Sequence, residues 1–501
     1  MSSDSWYARP LSHAQLWLLC SAALLVHVLP LLMADMPFLD DFARQHLARN
    51  DWDDFGRPLM VGLFAALSFG PGAVNLYPLP LLLAVLACGH AMARLVRHWF
   101  AVPAVGAVLV VLPLWYQPYF LQNLSYQYDG AAMALAMAAC LWAVSLAGKA
   151  ALRGLYGALL VAMAAGLYQP AVNLFAGLAA IEVMRLALAG ERLRVVGAEA
   201  LVRVGQLMGG CALYYLSSAW MVTSTRGNWL PVGGHWLGEM QHRLTTTVDT
   251  LALLVTPAVG WTLLVLGLLA ALALSRAVLR VWRGPGTTGE RLGLLLALLL
   301  PVPLIALSVP GLILLLAEFE QTVRVLLGLG ALLTLLAYLA YDALADWPRL
   351  RLLVLAVPVL CMLSFSFAYG RVLVLQKALH QSLAQGLVHD LASQPGLREA
   401  HHYYLLDFWL QRPWIPAARG TLQALPAIEK IHAYNYLLLP EMLPRAGIDQ
   451  LHTFYDTPPL SRAQVLEQSP VAQFSSRFYD IHLVGDSAYV LVKAPPAEPI
   501  R

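Results

Sequence analysis

Apolar runs of about 18 residues or more recur along this 501-residue chain, and each is long enough to cross about 30 Å of hydrocarbon as an α-helix. Hydrophobic residues make up 59% of the sequence and the mean hydropathy is +0.65, which excludes an ordinary soluble protein. No small-residue cleavage signal follows the first run, so we expect it to remain as a helix. The sequence predicts a polytopic α-helical membrane protein with about 11 transmembrane helices, centred near residues 23, 86, 108, 138, 160, 178, 213, 262, 304, 334 and 362.

The distribution of basic residues predicts the orientation of these helices. With a cytoplasmic N-terminus, the inner loops hold 15 basic residues and the outer loops before the C-terminal region hold 6, as the positive-inside rule requires. The apolar segment 58–69 is too short to span, and counting it as a span would invert every later loop. We therefore expect it to be a helix that lies at the membrane surface or dips into it.

The C-terminal region has ordinary mixed polarity. It carries 11 basic residues from Arg371 onward and 11 acidic residues from Asp390 onward, and it ends in "YDIHLVGDSAYVLVK", where Gly485-Asp486 is a hairpin signal between β-formers. The sequence thus predicts a transmembrane module over 1–374, with a first outer loop at 34–75, and a small outer α/β domain over 375–501. The net charge of +3 and the lack of a basic tract interleaved with aromatic residues argue against nucleic-acid binding.

The first outer loop contains "FLDDFARQHLARNDWDDFGRP", residues 38–58, with five aspartates and three arginines in a chain that is only 12% charged. The spacing of Asp40 and Asp41 from Arg44, and of Asp53 and Asp54 from Arg57, suits side-chain pairing on one amphipathic helix. One reading is a solvated, salt-bridged surface helix. The other is catalytic, because two adjacent carboxylates at a partly desolvated site can act as a general base.

The remaining outer loops supply further polar side chains. Each of these side chains can also have a purely structural role. The roles are a hydrogen-bonded loop around residues 123–129, a backbone cap at Gln169, and an ion pair between Arg324 and Glu318 or Glu320. An arginine at membrane depth needs an acid or a phosphate, so Arg324 is also a phosphate-binding candidate, with Arg371 as a weaker second. The predicted donor- or acceptor-binding residues are Arg44, Asp54, Arg57, Asn123, Tyr126, Asp129, Gln169, Arg324 and Arg371.

An outward-facing carboxylate base beside a phosphate-binding cation suits group transfer from a lipid-linked phosphate donor. No Gly-rich nucleotide loop is present in the sequence, so no nucleotide cofactor is expected. The histidines show no metal-ligand spacing, and a requirement for a divalent cation stays open.

Several segments resemble, in order, those of the bacterial glucosyltransferase family II, the serotype-converting enzymes that modify O-antigen. They are "LDDFARQHLARNDWDDFGRPLMVGLFAALSFG", "LYPLPLLLAVLA", "YFLQNLSYQYDGAAMALA", "LYQPAVNLF", "AIEKIHAYNYLLLPEMLPRAGI" and "DIHLVGDSAYVLVK". Residues 200–370 match that family in hydropathy alone.

The resemblance implies a GT-C-like fold in the bacterial inner membrane and transfer of glucose or a related hexose from undecaprenyl phosphate to a lipopolysaccharide O-antigen or similar glycan in the periplasm. It places the family's acidic pair at Asp40 and Asp41, one of which is the base, its Gly-Arg at Gly56-Arg57, and its polar loop at Asn123, Tyr126 and Asp129. Two alternatives stay open: a flippase or transporter for lipid-linked sugar, and a non-catalytic subunit of a glycan-modification complex.

Overall fold

The structure, a computed structural model, describes residues 9–223, 227–432, 435–448, 451–453 and 456–495. Residues 1–8 and 496–501, the ends of the two predicted domains, lie outside the described residues. The chain divides into two compact units, and each is described by itself. Unit 1 comprises 1–32 and 50–368, and unit 2 comprises 33–49 and 369–501. The predicted domain boundary at residue 374 stays a prediction.

The described residues are mostly helical. The helices up to the middle of the chain are α1 His13–Ala34, α2 Asp41–Leu47, α3 Pro58–Ser68, α4 Leu79–Trp99, α5 Val105–Val111, α6 Pro113–Tyr116, α7 Phe120–Ser125, α8 Asp129–Val144, α9 Ala150–Leu167, α10 Ala171–Leu188 and α11 Leu193–Ser218. Those that follow are α12 Trp236–Ala252, α13 Pro257–Arg283, α14 Thr288–Leu299, α15 Pro301–Ser308, α16 Gly328–Ala343, α17 Pro348–Ser393, α18 Pro395–Arg398, α19 Arg419–Ala424, α20 Ala427–His432 and α21 Arg462–Gln468.

Each of the eleven predicted span centres falls inside one of these helices. Seven helices in the described part of the chain are long and apolar enough to cross a membrane, namely α1, α4, α9, α10, α13, the pair α14–α15, and α17. The helices at the other four centres are shorter or less apolar, so the count of eleven stays a prediction. The short helix expected at 58–69 is present as α3. A mostly helical chain with seven helices of this length and composition is consistent with a polytopic membrane protein.

Unit 1 is held together by close helix packing, which is clearest where α9 meets α11. A Cβ atom added at Gly210 would lie 2.5 Å from Cβ of Val161 and 2.9 Å from the carbonyl oxygen of Ala158. Because real Cβ atoms do not approach other atoms that closely, only glycine permits this spacing. The apolar composition of α9 and α11 predicts helices, whereas this glycine determines how near they come.

The aspartate-rich segment does not form the single amphipathic helix that its spacing predicts. Helix α2 ends at Leu47 because Ala48 adopts a left-handed conformation, with φ of 49° and ψ of 36°. A 3-10 turn at Trp52–Phe55 follows, and Gly56, at φ of 68°, leads into α3. The two acidic clusters therefore lie on separate elements, one in unit 2 and the other in unit 1.

Unit 2 contains a four-stranded sheet with small helices, in agreement with the mixed character predicted for this region. The strands are β1 His402–Leu406, β2 Phe474–Ser475, β3 Tyr479–Val484 and β4 Ser487–Val492, in the order β1-β4-β3-β2. The predicted hairpin is confirmed, since β3 and β4 are antiparallel and Gly485, at φ of 62°, lies in the turn. Strand β1 joins β4 in parallel.

Helix α17 is too long to lie within a membrane. Its 46 residues extend about 69 Å at 1.5 Å per residue, more than twice the roughly 30 Å of a hydrocarbon core. Its apolar first half suits a span, and the polar second half, from about residue 376, belongs to unit 2.

Candidate functional site

An ion pair joins two residues of unit 1 that both belong to the predicted site. Arg57, at the start of α3, has Nη1 at 3.2 Å from Oδ1 of Asp129, the first residue of α8. The same carboxylate oxygen accepts a hydrogen bond of 3.1 Å from the indole nitrogen of Trp52, which is fully buried and stacks on Phe64. Arg57 therefore pairs across 72 residues with Asp129, and the pairing predicted with Asp53 or Asp54 is wrong.

Two further side chains hold the Arg57 guanidinium. Its Nε donates to Oε1 of Gln169 at 3.1 Å, and the guanidinium lies 5.0 Å from the ring centre of Tyr168. Burial lowers the pKa of Arg57 most, the carboxylate of Asp129 raises it, and the nearby positive charge of Arg324 lowers it again. The predicted residues Arg57, Asp129 and Gln169 thus form one connected group.

A second group surrounds Arg324, which lies in the 3-10 turn Val323–Val325. Its Nη1 donates to the hydroxyl of Tyr126 at 2.6 Å, and its main-chain oxygen accepts from the side-chain amide of Asn123 at 3.0 Å. Oε1 of Gln122 accepts from its main-chain nitrogen at 2.7 Å. Glu320 is 3.9 Å away, a longer ion pair. The predicted loop residues Asn123 and Tyr126 therefore position Arg324.

Tyr168 connects the two groups. Its ring faces Arg57, and its hydroxyl donates to the main-chain oxygen of Arg324 at 3.0 Å. Two arginines are consequently held close together by side chains that are largely buried. Guanidinium groups fixed in this way can bind a phosphate through several hydrogen bonds at once.

The other part of the predicted site lies in unit 2, on and beside α2. Asp41 is 1% exposed, and its carboxylate accepts from the main-chain nitrogen of Phe38 at 2.7 Å. Asp40 is half-buried and Arg44 is buried. Left-handed residues flank the helix, Leu39 at φ of 47° and Ala48 at φ of 49°, and each costs about 1–2 kcal/mol. Backbone strain of this kind clusters at functional sites.

Two predicted residues lie apart from these groups. Asp54 is exposed. Its main-chain oxygen accepts a hydrogen bond of 3.2 Å from the main-chain nitrogen of Thr223. Arg371 is exposed on α17, and its side chain makes no hydrogen bond or ion pair with the described residues.

Sequence reasoning did not assign Trp52, Tyr168, Tyr214 or Gln122, all of which shape the site. Trp52 and Tyr168 each adjoin residues that were assigned, so a reading of whole segments could have found them. Tyr214 donates to the main-chain oxygen of Gly56 at 3.1 Å and accepts from the Gln169 amide at 3.0 Å. It lies in the last turns of the apolar helix α11, where no pattern marks it.

Within the described ranges, no group of three or more His, Cys, Asp or Glu side chains is arranged to hold a metal ion. What the geometry offers is a pair of fixed arginines and, in unit 2, a pair of adjacent carboxylates. A fixed arginine can stabilise the charge of a phosphate group, and a carboxylate can act as a general base.

A family model described as glucosyl transferase GtrII matches residues 29–335, more than half of the chain. The chain belongs to this glucosyl transferase family. The matched region begins within α1 and ends within α16, so it contains Asp40, Asp41 and every residue of the two arginine groups.

A curated relative from Salmonella phage P22, described as "Uncharacterized 55.3 kDa protein in gtrB 5'region", is 30% identical over 114 residues. The match covers 23% of this chain and 24% of the relative, so the chain spans about a quarter of the length of that relative. No solved structure matches the chain significantly.

Proposed function

We propose that this protein is a membrane glycosyltransferase that moves a glucosyl or related hexosyl group from undecaprenyl phosphate to a lipopolysaccharide O-antigen or similar glycan. Membership of the glucosyl transferase GtrII family, over residues 29–335, is the observation that carries this proposal. The reaction takes place at the periplasmic side of the bacterial inner membrane.

In the proposed reaction the acceptor hydroxyl attacks the anomeric carbon of the sugar. The bond between that carbon and the phosphate oxygen breaks, and the electron pair leaves with undecaprenyl phosphate. Negative charge grows on the phosphate as the bond breaks, and a fixed cation stabilises it. Arg324 and Arg57 have this role, supported by the contacts of Arg324 with Tyr126 and of Arg57 with Gln169.

The acceptor hydroxyl must lose a proton, and Asp40 or Asp41 takes it. Asp41 is the more buried of the two, whereas Asp40 keeps partial exposure. Support for a catalytic role comes from the strained backbone on both sides of α2, since strain persists where the surrounding structure enforces a particular geometry. Arg44, one turn after the pair, is positioned to balance its charge.

An apolar cavity of unit 1 suits the isoprenoid chain of the donor. It has a volume of about 360 Å³ and is lined mainly by residues of α12, α13, α16 and α17, among them Leu251, Leu263 and Leu333. A smaller cavity lies beside it. Its lining includes Thr250 of α12 and Glu320 of the segment that carries Arg324. A lipid-linked phosphate fits this combination of an apolar lining and a nearby cation.

The architecture we propose is GT-C-like, with 11 transmembrane helices, a cytoplasmic N-terminus, a transmembrane module over 1–374 and a periplasmic domain over 375–501. Asn123, Asp129 and Gln169 hold the donor-binding arginines, and Asp54 and Arg371 contribute to binding donor or acceptor. Helix α17, which extends past the membrane, supports an outer domain at its C-terminal end.

The test is transfer by the purified full chain in nanodiscs. Undecaprenyl phosphate carrying labelled glucose is compared with labelled UDP-glucose, with lipopolysaccharide as acceptor. We expect transfer from the lipid-linked donor alone, and a KM for that donor at least about tenfold higher in Arg324→Gln, equivalent to roughly 1.4 kcal/mol. Arg283→Gln, at an exposed arginine ending α13, is the matched control. Transfer from UDP-glucose, or movement of donor across the bilayer without transfer, would contradict the proposal.

A further inference from the structure

Unit 2 contains a pocket of about 120 Å³ that is lined in part by residues on either side of the acidic pair in the sequence. One wall is formed by Met36, Pro37 and Phe42, which lie before and after Asp40 and Asp41 in the chain. The second half of α17 forms another wall, and the 3-10 turn Pro440–Ala446, against which α2 packs, closes the pocket. The pocket is therefore built within a single unit.

The polar side chains of the pocket differ in what they still offer a ligand. Lys377 donates to the main-chain oxygens of Ala34 and Asp35, at 3.1 and 2.6 Å. Arg445 lies 5.6 Å from the ring centre of Phe42 and donates to the side chain of Gln45. Both cations are thus engaged with the protein around the pocket.

Gln381 and Gln385, one turn apart on α17, are exposed and line the pocket together with the buried imidazole of His380. Amides both donate and accept hydrogen bonds. None of the described residues that line the pocket is acidic. A cation finds no counter-charge here and an anion cannot use the amide oxygens, whereas a sugar hydroxyl uses both parts of an amide.

We propose that this pocket binds one saccharide unit of the acceptor glycan, with Gln381 and Gln385 as its hydrogen-bonding residues. This inference rests on the proposed function, since it assigns the acceptor subsite of the same reaction. The segment 36–42 then forms the wall of the acceptor subsite and carries the base in the same stretch of chain. No covalent step is involved, because the pocket binds and orients.

Binding of delipidated bacterial lipopolysaccharide is measured on the full chain in nanodiscs without donor. The test variant is Gln381→Ala/Gln385→Ala, and the control is Ser382→Ala/His389→Ala. The control residues Ser382 and His389 come from the same helix, and both are exposed outside the pocket. We expect the pocket variant to bind about tenfold or more weakly, as the loss of two hydrogen bonds implies, and the control to bind like wild type.

Equal binding by wild type and pocket variant, or no binding by wild type, would overturn the inference. Transfer from the lipid-linked donor separates the two proposals. If wild type transfers glucose and the pocket variant keeps the wild-type KM for acceptor, the subsite is refuted and the proposed function stands. If wild type transfers nothing, the proposed function fails, while the binding measurement still decides whether the pocket takes a saccharide.

Discussion

Asp129→Asn removes the negative charge that faces Arg57 while keeping an oxygen that can accept from Trp52. The wild-type ion pair measures 3.2 Å between Nη1 and Oδ1, and the two side chains are only 18% and 9% exposed. Removing one partner of a buried pair costs about 3–5 kcal/mol, because the remaining charge stays buried without compensation. Arg57 keeps its hydrogen bond to Gln169 and some exposure, so we expect about 3 kcal/mol.

The double variant Arg57→Met/Asp129→Asn carries no uncompensated charge, since methionine is apolar and of similar length. It should therefore be less destabilised than the sum of the two single variants, by about 2 kcal/mol. The free energy of unfolding is measured for all four proteins by SDS titration in mixed micelles, followed by tryptophan fluorescence. Additive effects, within about 0.5 kcal/mol, would refute the argument that this pair holds the site together.

Three further changes test the packing, the backbone and the buried charges. Gly210→Ala should destabilise the chain by about 1–3 kcal/mol because α9 and α11 are forced apart, whereas Gly205→Ala, in open space on the same helix, should cost nothing; chemical unfolding compares them. Ala48→Gly should stabilise the chain by about 0.5–1 kcal/mol, since glycine adopts the left-handed conformation without strain; a loss of unfolding free energy would contradict this. Burial, and next the neighbouring His380, lower the pKa of His432 to about 3, below its usual 6.5. The contribution of neutral His432 to the free energy of unfolding is therefore complete above pH 6.5 and is lost as the pH falls toward 3. In His432→Leu, the free energy of unfolding should consequently fall less than in wild type between pH 6 and pH 5, by about 1.4 kcal/mol per pH unit.

The positions of the helices could be predicted from the sequence because hydropathy alone decides which segments leave water. The β3–β4 hairpin was equally accessible, since Gly485-Asp486 between β-formers has a strong local preference. Ala48 shows the opposite case. Alanine favours continuing a helix, so only tertiary packing explains the left-handed turn that ends α2 there.

The candidate site was predictable by residue type but not by pairing. Local spacing suggested that Arg57 would pair with Asp53 or Asp54, yet the helices bring Asp129 to it from 72 residues away. Tyr214 reaches Gln169 from an apolar helix, where a single tyrosine carries no signal. Contacts of this kind depend on how helices cross, which the sequence of one helix does not encode.

We propose that this member of the glucosyl transferase family uses a carboxylate of the pair Asp40-Asp41 as its base. The most direct test is transfer of labelled glucose from undecaprenyl phosphate to lipopolysaccharide by purified wild type, Asp40→Asn and Asp41→Asn at equal concentration. Asp53→Asn, at an exposed aspartate of the neighbouring turn, is the control. We predict that kcat falls at least about 100-fold in one variant of the pair, with donor binding retained and the control unchanged. Undiminished transfer in both Asp40→Asn and Asp41→Asn would contradict the account.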